Sequence, residues 1–283
     1  MTTKQIHGLV AVTEKMDTAG AATWWSLSGD TDLGALVAAW SKAGLDPELL
    51  PVGRSREVAL HRAVAEQRDR KRTVQRLDDR SGWAVVDVEV SRHEADVRVP
   101  CRVWDDEEKG LICEPPGTTL ADEIAAAFRR NLTTISQGDV SAWLVRQAER
   151  LNAVALRETG GIYFVPNHTL GEWRLIAGTL RETTSHTVYE LPALRSDEAV
   201  KAIVDALARE AEAQATKLEE QLTADELGER ALRARGVTCE QMQKKVEQYE
   251  RLLGTSMTTL HERIERLQAA VAGAIFALSD DAA

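Results

Sequence analysis

The stretch SGWAVVDVEVSRHEADVRVPCRVWDDEEKGLICE, Ser81 to Glu114, decides the fold class, because apolar and polar residues alternate through it with a period of two. With Thr73–Leu77 just before it, four strands are predicted: Thr73–Leu77, Trp83–Ser91, Asp96–Trp104 and Leu111–Glu114. The turns DDRSG, RHEA and DDEEKG separate them at the spacing of an antiparallel meander. Val97, Val99, Cys101 and Val103 fall on one face and Arg98, Arg102 and Trp104 on the other, giving a core side and a wet side. Upstream, Thr23–Ser28 reads as a strand. Leu33, Leu36, Val37 and Trp40 recur at helical spacing, and Gly44 ends that helix in a left-handed cap. Ser55 caps a second helix that turns Val58, Leu60, Ala63 and Val64 inward.

Downstream of the meander, helices are predicted from Thr119 through Phe128 and from Gly138 to Leu151, the second burying Val140, Leu144, Ala148 and Leu151. Ala153–Arg157 and Ile162–Val165 pair as a hairpin across Glu158-Thr159-Gly160-Gly161, where glycine supplies the positive φ of a tight turn. Thr169 and Glu172 form a capping box for a helix carrying Trp173, Ile176, Ala177 and Leu180, and His186–Leu191 closes the segment as a strand.

From Val200 the pattern is helical throughout. Val200, Val204, Leu207, Ala211, Ala215, Leu218 and Leu222 make one stripe; Met242, Val246, Tyr249, Leu253, Met257, Leu260, Ile264, Leu267, Val271, Ile275 and Leu278 make another. Capping boxes at Thr223–Glu226 and Thr238–Gln241 flank a Gly236 stop. Residues 197–235 and 239–278 are therefore expected to fold back at Gly236-Val237 as an antiparallel helical hairpin with arms of roughly 60 Å. The fold class is α+β: an antiparallel meander with packed helices, a helix-plus-hairpin middle segment and a long C-terminal helical hairpin. The domains expected are an α+β head, 1–118, a helix-and-hairpin segment, 119–195, and the long helical hairpin, 196–283.

Composition narrows the function. The 283 residues are 43% hydrophobic, enough for real cores, and the formal charge of −10 excludes an all-over basic surface. Cys101, Cys113 and Cys239 show no CxxC or Cys/His ligand spacing, so a disulfide framework and a zinc knuckle are not expected and a reducing cytoplasm is. The longest apolar run, Ala269–Leu278, is too short for a membrane span, and the N-terminus has no signal-peptide layout.

One segment stands out in this acidic chain. Arg54, Arg56, Arg62, Arg68, Arg70, Lys71, Arg72 and Arg76 face three acids between Arg54 and Arg76, a local charge of +5 that suits phosphates. No aromatic residue interleaves it, so a solvated helix face is the competing reading. Two helices before a Gly-tipped hairpin suggest a winged helix, with Arg146 and Arg150 on the polar side of the second; the missing third helix and zero net charge of that segment speak against DNA reading. Asp105–Glu108 reads as a solvated turn rather than a cation site. GxSxG, HExxH, GxxxxGK[ST] and GxGxxG are absent, and His7, His61, His93, His168, His186 and His261 are scattered. Trp24, Trp25, Trp40 and Trp83 are expected to fill the first core; ligand stacking by Trp24 or Trp104 is the lesser alternative.

The runs WWSLSG, AWSKAGLDPELLP, ALHRAV and LRETGGIYFVP resemble an uncharacterised protein family of actinobacteria and their phages, over most of residues 1–195. The resemblance carries no catalytic residues with it. The function expected is a non-enzymatic binding and assembly protein without a cofactor. Its head contacts nucleic acid through the basic segment, and its helices join a protein partner or a second copy through Leu260, Ile264, Leu267, Val271, Ile275 and Phe276. The alternatives are an enzyme with a site assembled in the head, acting on nucleic acid or a small substrate, and a regulator that binds only protein. Because Ala269–Leu278 is apolar nearly all round, it is expected to be covered by the head or by a second subunit.

Overall fold

The structure is a computed structural model and describes residues 3–6, 9–12, 17–78, 81–90, 95–223 and 228–280. The Thr223 capping box, which needs Glu226 and the staple residue Leu227, falls outside these residues, as do His7 and His93. In chain order the strands are β1 (Thr3–Ile6), β2 (Leu9–Val12), β3 (Thr18–Ser26), β4 (Thr31–Asp32), β5 (Arg72–Arg76), β6 (Gly82–Val90), β7 (Ala95–Asp106), β8 (Gly110–Glu114), β9 (Thr134–Ile135), β10 (Val154–Ala155), β11 (Tyr163–Pro166) and β12 (Thr187–Leu194). The helices are α1 (Leu33–Lys42), α2 (Arg56–Ala65), α3 (Thr119–Thr133), α4 (Gln137–Arg150), α5 (Asn167–Thr183), α6 (Asp197–Thr223), α7 (Glu229–Leu253) and α8 (Thr258–Asp280). The protein is thus α+β with antiparallel sheets. Among the described residues no helix is long and apolar enough to cross a membrane.

Sequence pattern divides the chain into three consecutive segments; contacts divide it into two compact units, one of residues 1–26, 144–177 and 187–283 and the other of residues 27–143 and 178–186. The second is the unit of the meander. Its sheet has the order β5-β6-β7-β8, and Val74, Val85, Cys101 and Val103 pack on Ala59, Leu60, Ala63 and Val64 of α2 and on Ile124, Ala127 and Phe128 of α3. Each large side chain buried there contributes about 1.5–3 kcal/mol. Ser55 caps α2 by accepting the Val58 N–H, and Thr118 caps α3 through the Ala121 N–H. Of the residues expected inward on α2, Val58 is instead 45% exposed and Ala59 takes its place. Elsewhere in the unit Trp40 and Trp143 meet at 5.5 Å, and their indole N–H groups donate to the carbonyls of Asp46 and Leu49.

The meander departs from the simple alternation at one point. Val97 and Val99, expected beside Cys101 in the core, are 59% and 44% exposed. Val85 pairs with Cys101 but Asp87 with Arg98, so Val99 and Pro100 stand opposite Val86 alone and β7 bulges. One extra residue reverses the faces beyond it. Asp87 and Arg98 then share a face with Arg72, whose guanidinium donates to Asp87 at 2.7 Å.

The other unit is built on a sheet of order β10-β11-β3-β12. On one face of β3 Trp25 stacks on Tyr163 of β11, and Trp173 of α5 donates to Thr23. On the opposite face Val154 and Phe164 join Ile203, Leu207, Met242, Val246 and Tyr249 from α6 and α7. α5 starts two residues before the predicted capping box: the Thr169 hydroxyl donates to the carbonyls of Leu151 and Pro166 instead of capping. Glu172 pairs with Arg150.

The fold-back at Gly236-Val237 is corrected by the structure: α7 runs unbroken through both residues, and the chain reverses at Gly254, which has φ 67°. Thr238, read as a cap, donates its hydroxyl to the Ala234 carbonyl one turn back inside the helix. At Gly236 a Cβ would sit 3.9 Å from Val271, ordinary contact, so glycine is not required there; at Gly254 the left-handed backbone favours it. The helical hairpin is therefore α7 with α8, and α6 lies antiparallel to α7 in the same bundle, as the Lys245–Glu210 pair and the cluster of Leu218, Cys239, Leu267 and Val271 record. At 1.5 Å per residue these helices are about 35–40 Å long, not 60.

Candidate functional site

Beside the edge strand β10 lies a half-open groove of about 780 Å³, formed by the end of α4, by β10 and β11, and by α6 and α7. Its floor is a hydrogen-bonded network. Lys245 reaches Glu210 at 2.7 Å and the Ala153 carbonyl at 2.9 Å. Asn152, left-handed with φ 59° just past α4, donates from its amide to Gln248 at 2.9 Å, and its carbonyl accepts from the Tyr249 hydroxyl at 2.7 Å. Arg150 is held by Glu172 at 2.5 Å and by Gln147 at 3.0 Å. The rim differs: the side chains of Tyr163, Glu149, Gln214, Gln241 and Lys244 line the groove without a hydrogen bond or ion pair among the described residues. Burial, and then the Glu149 carboxylate, raises the Tyr163 hydroxyl above the usual phenol range, so it stays a neutral O–H donor.

The basic segment, in the other unit, is mostly neutralised. Arg54, with a side chain only 8% exposed, donates to Asp139 at 2.7 Å and to the carbonyls of Asn131 and Thr134. The Ser136 hydroxyl first, and Arg54 after it, holds the Asp139 carboxyl below its usual range. Arg56 grips Asp105 through two bonds and covers the Phe128 ring. Arg62 approaches Asp139, Lys71 pairs with Glu89, Arg72 with Asp87 and Arg76 with Glu57. Arg68 and Arg70 remain exposed, without an ion pair among the described residues.

Of the predicted interaction stripe, Ile264, Leu267 and Val271 lie inside the bundle with 0–2% exposure, and Leu260 and Ile275 are half-buried. Phe276 is 68% exposed, and Ala269, Ala270, Ala272 and Gly273 are exposed with it. Among the described residues this face of α8 stays exposed.

The histidines do not converge on a metal site: among the described residues no three His, Cys, Asp or Glu side chains do. His61 stacks on Trp83, and His261 bonds Glu250 at 2.9 Å. His186 is buried, accepting the Ser28 N–H on Nδ1 at 3.0 Å, so its Nε2 carries the proton donated to Thr31 at 2.8 Å. At the Asp105–Glu108 turn, Asp106 accepts the N–H groups of Glu108 and Lys109, which keeps its carboxyl below the usual range. Trp24 stacks on Tyr189.

A family model matches residues 19–281, nearly the whole chain. The chain belongs to DUF6744, a family of unknown function. The DUF6744 match begins inside β3 and ends at the close of α8, so meander, groove and bundle all lie within it. No curated protein and no solved structure matches this DUF6744 chain.

The groove escaped the sequence reading. Its residues come from four separate stretches, and the one local signal was Asn152 directly after a helix, a position where asparagine adopts the left-handed cap.

Proposed function

We propose that the protein is a non-enzymatic binding and assembly protein that joins a second copy of itself through the outer face of α8. The observation that carries this reading is Phe276, 68% exposed on a helix face otherwise made of small residues. An antiparallel pairing of two α8 helices centred between Ala272 and Gly273 sets Phe276 of each copy over Ala269 of the other, a large residue into a small gap. A two-fold contact needs such self-complementarity. A reducing cytoplasm, in keeping with three unpaired cysteines, and an actinobacterial or phage source, in keeping with the Arg-rich composition, complete the reading.

Light scattering of the full chain tests it. The expected result is a dimer at about 100 µM that Phe276→Asp converts to a monomer of unchanged circular dichroism, since one charge buried at a contact costs several kcal/mol. A monomeric wild type at that concentration overturns it. A second reading rests on Arg68 and Arg70: two exposed, unpaired guanidinium groups on the turn between α2 and β5 suit a phosphate backbone.

A further inference from the structure

We infer that the groove beside β10 is a binding site for a neutral oligosaccharide of two or three sugar rings. Its volume, about 780 Å³, is that of a small-molecule site, and its chemistry selects among ligands. A phosphate or other anion requires free cations. Arg150 is committed to Glu172, and Lys245 to Glu210 and the Ala153 carbonyl, while Glu149 and Lys244, both unpaired among the described residues, offset each other. An apolar ligand finds only Ala153, Ala155, Met242 and one aromatic ring among polar side chains. A peptide adding as a strand needs a run of unpaired main-chain groups along β10. Ala153 has none to give, since its N–H bonds the Ala148 carbonyl and its own carbonyl accepts from Lys245. β10 is two residues long, too short a template for strand addition.

What the rim does offer is a set of neutral or amphoteric partners for hydroxyl groups, the amides of Gln214 and Gln241 and the Tyr163 phenol, with Glu149 to accept. It also offers a ring face. Tyr163 has Trp25 stacked on its β3 side, at 5.3 Å between centroids and 3° between planes. On its β10 side the directly paired residue is Ala155, whose methyl group is too small to cover the ring. The apolar C–H face of a sugar ring fits there, the Trp25–Tyr163 stack holding the phenol flat to receive it. The network of Lys245, Asn152 and Gln248 fixes the floor beneath, so the site is formed before a ligand enters.

Isothermal titration of the full chain with maltotriose, cellotriose and chitotriose, each at about 5 mM, tests the inference. One of the three is expected to bind with a dissociation constant in the micromolar to low millimolar range. Ala155→Leu, which covers the ring from an edge strand, should weaken it about tenfold or more, as about 1.4 kcal/mol of lost stacking would. Gln241→Ala, on the exposed side of α7, should weaken it several-fold. Both variants are expected to keep the wild-type melting temperature, so lost binding does not reflect lost folding. Absence of heat with all three sugars overturns the inference, and so does unchanged affinity in both variants. Binding of tetraalanine in place of the sugars overturns it in favour of strand addition.

Discussion

Two regions of this protein are rich in charged and amide side chains, and they use them in opposite ways. Between Arg54 and Arg76 six of the eight cations are paired to carboxylates from α2, α4 or the meander's own strands. Around the groove, the charged pairs are confined to the floor and, among the described residues, five polar side chains on the rim are left unengaged. A dense run of cations in sequence is thus not a basic surface. Where opposite charges from distant segments return to it, the run becomes internal bracing, and the unengaged groups of the groove come from four stretches, each of unremarkable composition.

If the enclosed polar groups brace and the open ones bind, substitutions should sort accordingly. The largest effect is expected at Arg54. Its guanidinium holds Asp139, Asn131 and Thr134 together from a nearly buried position, so Arg54→Ala should destabilise the chain by about 3 kcal/mol in urea unfolding. A loss below about 1 kcal/mol would place Arg54 with the solvated cations and break the contrast.

A smaller effect is expected at His186, another polar group whose partners are all internal. Burial pushes its pKa below the ordinary 6.5. The unfolded chain therefore binds the proton more tightly than the folded one, and stability present above pH 6.5 should decline as pH falls through 6.5 towards the lower folded-state value. Urea midpoints between pH 8 and pH 5 should show this decline, and His186→Gln should flatten it. An unchanged slope in the variant assigns the dependence to other groups.

The smallest effect on stability is expected at Arg68 and Arg70. Their joint replacement by Glu should change unfolding by less than about 0.5 kcal/mol. It should nevertheless abolish any retention on DNA or RNA at about 50 mM salt. No retention of the wild type at that salt removes the nucleic-acid reading.

Much of the fold could be read from local pattern because the deciding residues are neighbours. Ser55 sits three residues before the amide it caps, and Cys101 and Val103 alternate with Arg102 as the strand requires. Pattern failed where a single residue changes phase. Pro100 bulges β7 and turns Val97 and Val99 outward. The turn at Gly254 was invisible for a subtler reason: Leu253, Met257 and Leu260 are buried or half-buried at steps of four and three across the reversal, so helical spacing continues through a break. Gly236 attracted the turn because a Thr-x-x-Gln box follows it, yet such a box inside a helix bonds backward to the previous turn. Of the candidate sites, the exposed end of α8 was legible as a long apolar run, whereas the groove depends on residues nearly a hundred positions apart, such as Asn152 and Gln248.

The outer strand β12 has a consequence for how the protein survives at high concentration. Among the described residues no strand lies beyond it in the sheet, and it displays Leu191 and Leu194, 60% and 41% exposed. An exposed greasy border of eight residues is a template on which copies can stack into fibrils. Pro192, which has no amide hydrogen, interrupts the row of donors between those two leucines, and the irregular register at Ala193/Leu194 bends the strand just after it. The sheet thereby guards its own border, and the pairing proposed for the outer face of α8 would end after one partner instead of propagating.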